Sequence, residues 1–151
     1  MMPAIIDVSL AMYLKYRHLY HYKSSPRIDR IMIDAYRLAE DYDQDVHALF
    51  VVWAMLRIQG SITHHLLMEF GVTESLLRDA CAVPSIHMLD LNRLFASVVS
   101  HAQAQGDITL GTEHLLMALL SDTLLQCQLT NLGINVEGMR HAALSMRETD
   151  R

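Results

Sequence analysis

Gly111-Thr112-Glu113-His114-Leu115-Leu116-Met117-Ala118-Leu119-Leu120 sets a glycine, a hydroxyl, a carboxylate and an imidazole ahead of an unbroken apolar run. A helix start ordinarily needs only one such polar residue, because a single side-chain oxygen satisfies a first-turn N–H. Three of the four nevertheless have helix-start roles. Gly111 is expected to let the backbone turn tightly, Thr112 to cap through its hydroxyl, and Glu113 to meet the positive end of the helix dipole from an accessible turn. The run that follows has no polar face, as expected of a helix buried on all sides.

The surroundings repeat. Leu66-Leu67-Met68-Glu69-Phe70-Gly71-Val72-Thr73 leads into a helix carrying Leu77, and Leu129-Thr130-Asn131-Leu132-Gly133-Ile134-Asn135 leads into one carrying Met139, 62 residues later. Val51-Val52-Trp53-Ala54-Met55-Leu56 matches Leu115 to Leu120 at a spacing of 64, so the second copy has a loop two residues shorter. Elsewhere apolar residues recur at helical spacing, as at Ile31, Ala35 and Leu38, with no sustained alternation. Gly60, Gly71, Pro84, Gly106 and Gly133 mark breaks, and Ser61, Thr73, Thr112 and Asn135 are placed to cap the helices that follow.

The reading is all-α. Two tandem four-helix repeats related by a pseudo-twofold axis form one compact domain without a β-sheet, because neither unit buries its apolar face alone. Repeat one covers about 28–83 and repeat two about 86–147; residues 1–27 form a helical extension and 148–151 a tail. Trp53 and Leu116 are expected to be buried. His114 is expected to pack against the neighbouring copy as a hydrogen-bonded core histidine. At a spacing of 64, Thr112, Glu113 and His114 correspond to Ala48, Leu49 and Phe50, and Leu49 is expected in the core.

Composition excludes several classes. The 151 residues are 52% apolar with a net charge of -5, the size of one ordinary domain. No apolar run approaches the roughly 18 residues that span a bilayer, and the start lacks the basic leader and small-residue cleavage site of a secretory signal. Cys81 and Cys127, far apart in helical patterns, fit reduced, packed thiols and a cytoplasmic location. Twelve Lys and Arg spread thinly argue against nucleic acid as a partner. The cluster Lys15, Arg17, Lys23, Arg27 and Arg30 reads as a solvated face or a surface for an anionic partner, and Asp41, Asp43 and Asp45 as a solvated loop or a docking surface for a basic one.

Gly111-Thr112-Glu113-His114-Leu115-Leu116, followed by Ala118-Leu119-Leu120 and by Leu132-Gly133-Ile134 with a closing helix, resembles the repeat of the Clp (Hsp100) amino-terminal domain. The resemblance covers about residues 28–147, strongly in the second copy and in outline in the first. It implies a non-catalytic module that binds adaptor or substrate proteins for an ATP-driven unfoldase. The 151 residues contain no G-x-x-x-x-G-K-[ST] phosphate loop, so a free-standing form without the AAA+ module is expected. The alternative is a structural accessory subunit docking on a Clp protease complex. In some branches of the family the motif's glutamate holds the guanidinium of phosphoarginine, which implies Thr112, Glu113 and His114 as the protein- or peptide-binding residues.

Other constellations point to no chemistry. Nine histidines include no H-E-x-x-H or E-x-x-H, and no C-x-x-C accompanies them; His18 with His21, His64 with His65, and Asp43 with His47 remain, each short of a ligand set. No metal and no cofactor are expected. No G-x-S-x-G presents a serine and neither cysteine has an electropositive setting, so no catalytic residue is assigned. Met32, Met55, Met68, Met88, Met117, Met139 and Met146 read as packing residues or, alternatively, as a soft peptide-binding groove.

Overall fold

A computed structural model describes residues 23–85 and 87–146. The expected amino-terminal helix, the pair His18 and His21, and the tail 148–151 lie outside them. The first four helices are α1 (Pro26–Asp41), α2 (Ala48–Arg57), α3 (Ile62–Glu69) and α4 (Glu74–Cys81). The second four are α5 (Leu91–Ala104), α6 (Thr112–Leu120), α7 (Thr123–Asn131) and α8 (Val136–Leu144). In both sets the second helix packs on the first and on the fourth.

The duplication extends to hydrogen bonds. After α3, Gly71 stands at φ +88° with Val72 N–H donating to Leu67 O at 3.0 Å; after α7, Gly133 stands at φ +87° with Ile134 N–H donating to Leu129 O at 3.0 Å. Both are left-handed terminations of the kind glycine permits. The long helices end alike. Asp107 N–H reaches Ala102 O past Gly106, and Gln44 N–H reaches Ala39 O past Asp43, each at 2.9 Å. Asp43, at φ +54°, thus holds the position that Gly106 fills in the second copy; the acidic loop is a helix terminator.

Ser61, Thr73 and Asn135 cap α3, α4 and α8 as expected, and Ser25, Asp90 and Asp122 cap α1, α5 and α7. Thr112 does not cap α6. Gly111 is the N-cap and Thr112 the first helical residue.

The core is built on α2 and α6. Leu49 to Leu56 of α2 are all buried, as is every residue of α6; Trp53, Leu116 and Leu49 are therefore internal. Trp53 Nε1–H donates to Glu74 Oε2 at 3.2 Å, and Tyr42 sets its edge against both Phe50 and Trp53. Met32, Met55, Met117 and Met139 are buried, while Met68 and Met88 are 57% and 67% exposed. Cys81 is buried, and burial pushes its thiol up to about 12; Cys127 is exposed, contrary to the packed thiol expected there.

Two departures matter for function. One is a minimal sheet where none was expected: Lys23–Ser24 (β1) pairs in parallel with Thr109–Leu110 (β2), and Ser25 N–H donates to Leu110 O at 2.8 Å. This pairing brings the start of the first copy to the start of α6. The second departure is at the junction, whose two sides are used differently. α3 crosses onto α6 and α8, whereas its counterpart α7 packs on α6 and α8 of its own copy. No helix of the described residues is long and apolar enough to cross a membrane.

Candidate functional site

The start of α6 is interior. Thr112, Glu113 and His114 are 0%, 1% and 0% exposed, so the accessible turn expected for Glu113 is absent. The pairing of β1 with β2 brings the first copy's start beside the strand that leads into this turn. Gly111 has φ −109° and ψ 170°, extended backbone open to any residue; the tight turn expected of it does not occur. What it supplies is space. A Cβ there would lie 2.2 Å from Glu113 Oε1.

His114 is hydrogen-bonded and buried, with its polar partners in its own copy rather than across the junction. Gly111 N–H donates to Nδ1 at 2.8 Å, and Nε2 lies 2.8 Å from Asp107 Oδ2. The histidine thus does what a capping side chain would do, taking up an N–H at the helix start. Asp107, Glu113 and His114 also offer three potential metal-ligand atoms within 4.8 Å of one another. Proton placement speaks against a metal. With Nδ1 accepting from the backbone, the ring's proton stands on Nε2 and donates to Asp107, which leaves that nitrogen no lone pair.

A second place, assembled from both copies, is open to solvent. A groove of about 470 Å³ runs between the start of α2, the linker after Ser85, and the facing parts of α5, α6 and α7. Its floor includes His47, Leu94, Ala118 and Leu119, all buried, and its walls include Met88 and Leu124, which are 67% and 36% exposed. An apolar floor with a polar rim is the ordinary form of a binding groove. Sequence reasoning offered the methionines, Met88 among them, as a soft peptide-binding groove, but could not give this lining, whose residues come from separate stretches of both copies and form no motif.

His47 is the unusual polar member. Its ring stacks on Phe50 with centroids 4.3 Å apart, and it is 5% exposed. Gln44 Nε2–H donates to Cys81 O at 2.8 Å, which turns Gln44 Oε1 toward His47 Nε2 at 3.3 Å. His47 therefore carries its proton on Nε2, and Nδ1 is a buried acceptor with no partner. Burial holds the ring below the ordinary histidine range, so it is neutral at pH 7. His47, which the sequence set beside Asp43 only as an incomplete ligand pair, has Gln44 as its hydrogen-bond partner.

A serine and a histidine do meet at the groove's edge, without catalytic geometry. Ser121 Oγ–H donates to Met117 O at 2.8 Å, so His101 Nε2, 3.2 Å away, must donate to Oγ rather than take its proton. His64 and His65 stack edge to face, and His64 Nδ1 is bonded to Leu56 O, a structural role.

No protein-family profile and no curated protein matches the sequence. Solved structures do. The Hsp104 N-terminal domain from Candida albicans is similar with a TM-score of 0.67 at 16% identity, over 82% of this chain and 90% of that one. The N-terminal domain of the caseinolytic protease associated chaperone ClpD from Arabidopsis thaliana gives 0.66 at 19% identity, over 82% and 96%. At such identity the likeness is one of fold, and it is the fold that the Gly111 to Leu116 resemblance implied.

Proposed function

The chain folds as an Hsp100/Clp amino-terminal domain, and from that premise we propose that it is a non-catalytic, cytoplasmic protein-interaction module. It captures adaptor or substrate proteins in Clp-dependent proteolysis or chaperone work. The observation that carries this reading is the inter-copy groove, where Met88 and Leu124 stand exposed around an apolar floor. Exposed apolar side chains beside a concave apolar surface are characteristic of protein-binding sites. The burial of Thr112, Glu113 and His114 supports a positioning role for them: they fix the start of the helix whose far end, at Ala118 and Leu119, floors the groove. Recognition of a guanidinium by Glu113 is the other use of the motif, and it requires this turn to open.

The test is capture from native lysate by the full chain, read by mass spectrometry, with Leu124→Asp and Glu113→Gln in parallel. Loss of captured proteins with Leu124→Asp and retention with Glu113→Gln is expected. The reverse pattern assigns capture to the motif turn, and recovery of a peptidase ring alone, unaffected by either change, supports an accessory subunit of a Clp protease.

A further inference from the structure

Each copy is led in by a segment that lies on the other copy. Ser25 N–H, before α1, donates to Leu110 O, before α6, at 2.8 Å; Leu89 N–H, before α5, donates to Val46 O, before α2, at 3.0 Å. Donor and acceptor both stand 64 positions from their counterparts, with the copies exchanged. The two clasps are closed to different degrees. On the first side the bond extends a parallel ladder in which Ser24 faces Leu110, Ser25 is buried, and the Ser24 hydroxyl is shut off from solvent. On the second side the same register would set Met88 opposite Val46. Among the described residues no strand forms there and Val46 N–H has no acceptor; His87 and Met88 are exposed and Leu89 is half-buried. The strap 87–90 is thus held to Val46 by one bond, and it carries Met88 along the wall of the groove.

The groove itself accounts for the difference. Zipping 87–88 onto 45–46 would turn Met88 inward as Ser24 is turned, over a space of about 470 Å³ that one methionine side chain covers only in part. Pairing alone therefore removes little apolar surface from water. An apolar side chain seated on Leu94, Ala118 and Leu119 gives Met88 a surface to cover. Resting on the protein-capture reading above, we infer that strap 87–90 is a lid that closes on a captured segment, completing with 45–46 the pairing that Lys23–Ser24 already makes with Thr109–Leu110. Capture shifts the strap from its singly bonded form to its paired form, because only the paired form lays Met88 over the partner.

Amide hydrogen exchange, followed by NMR on the full chain alone and with the capped peptide acetyl-Ser-Ala-Leu-Ala-Leu-Ala-Ser-amide, tests the lid. In the free chain the Val46 and Leu89 amides are expected to exchange about tenfold faster than that of Ser25, whose clasp is closed. With the peptide bound, as shifts at Ser97 and Leu124 report, both are expected to slow about tenfold while Ser25 is unchanged. Exposed His87 allows the strap to be biased: His87→Val favours the extended form and His87→Gly disfavours it. The valine variant is expected to bind the peptide about fivefold tighter than the glycine variant, equivalent to about 1 kcal/mol, and to slow Leu89 exchange before any peptide is added. Equal protection of Leu89 and Ser25 in the free chain, or equal affinity of the two His87 variants, overturns the lid. Shifts at Ser97 and Leu124 with Val46 exchange unchanged overturn the lid and leave the groove reading standing, whereas absence of those shifts overturns both.

Discussion

Replacing His114 by phenylalanine removes both bonds that the imidazole makes while keeping a flat ring in a site with no solvent exposure. Gly111 N–H, buried and bonded to Nδ1 at 2.8 Å, is left without that acceptor. An orphaned buried donor costs about 1–3 kcal/mol. Asp107 loses an N–H donor at 2.8 Å but is 19% exposed, so water recovers part of that bond. The larger ring adds overpacking of about 1 kcal/mol, against a small gain in apolar contact. A net loss of about 2–4 kcal/mol is expected. That is survivable for a domain of ordinary stability, about 5–15 kcal/mol. Urea unfolding followed by circular dichroism measures it, provided the slope with denaturant is unchanged. A loss below about 0.5 kcal/mol, no larger than an ordinary surface substitution, would refute the role assigned to His114. Nitrogen-15 shifts of the wild-type ring check the same point independently, and must show the Nε2–H tautomer. Zinc is expected to leave the melting temperature unchanged, whereas a rise that scales with zinc concentration would mean that Nε2 is free to ligate.

The other expectations concern space, protons and thiols. Gly111→Ala should destabilise by about 1–2 kcal/mol, because the new Cβ meets a carboxylate that burial confines, with part of the cost offset by lower unfolded-state entropy. In a Glu113→Ala background the penalty should vanish, and an equal penalty in both backgrounds would locate the strain elsewhere. For pH, His47 and His101 are both lowered, in each case chiefly by burial. In the window below the unfolded value of about 6.5 the unfolded state binds more protons, so stability is full above it and falls as pH drops toward the folded values. Melting temperature should therefore decline from about pH 7.5 to 5.5, less steeply in His47→Phe; a flat wild-type profile contradicts the buried neutral ring. With a thiol reagent, one equivalent should react in the native protein at Cys127 and the second, Cys81, only on unfolding. Native reaction of both would show that Cys81 is not held inside.

What was legible in the sequence is what local chemistry writes down. Gly71 and Gly133 occupy the same left-handed turn, and Ser61, Thr73 and Asn135 cap as their positions predict, because termination and capping are decided within a few residues. Leu49 announced itself as core by standing where the second copy has Glu113. The failures are tertiary. Nothing near Glu113 says that it is buried, since its burial depends on how segments distant in sequence pack around the start of α6. Gly111 reads as a turn glycine because a Cβ clash with a neighbouring carboxylate has no local signature. The lining of the groove was illegible for the same reason: His47, Met88, Leu94, Ala118 and Leu124 share a surface only after both copies have packed.

The central claim is that partners are held in the inter-copy groove, and site-specific photo-crosslinking in native lysate tests it most directly. A photoreactive residue replaces Leu124 or Met88 in turn, with Ile108 and Met68, 84% and 57% exposed and outside the groove, as controls. The account predicts that the same partner bands form from both groove positions and not from the controls. Crosslinks from Ile108 or Met68 with none from Leu124 and Met88 would contradict it.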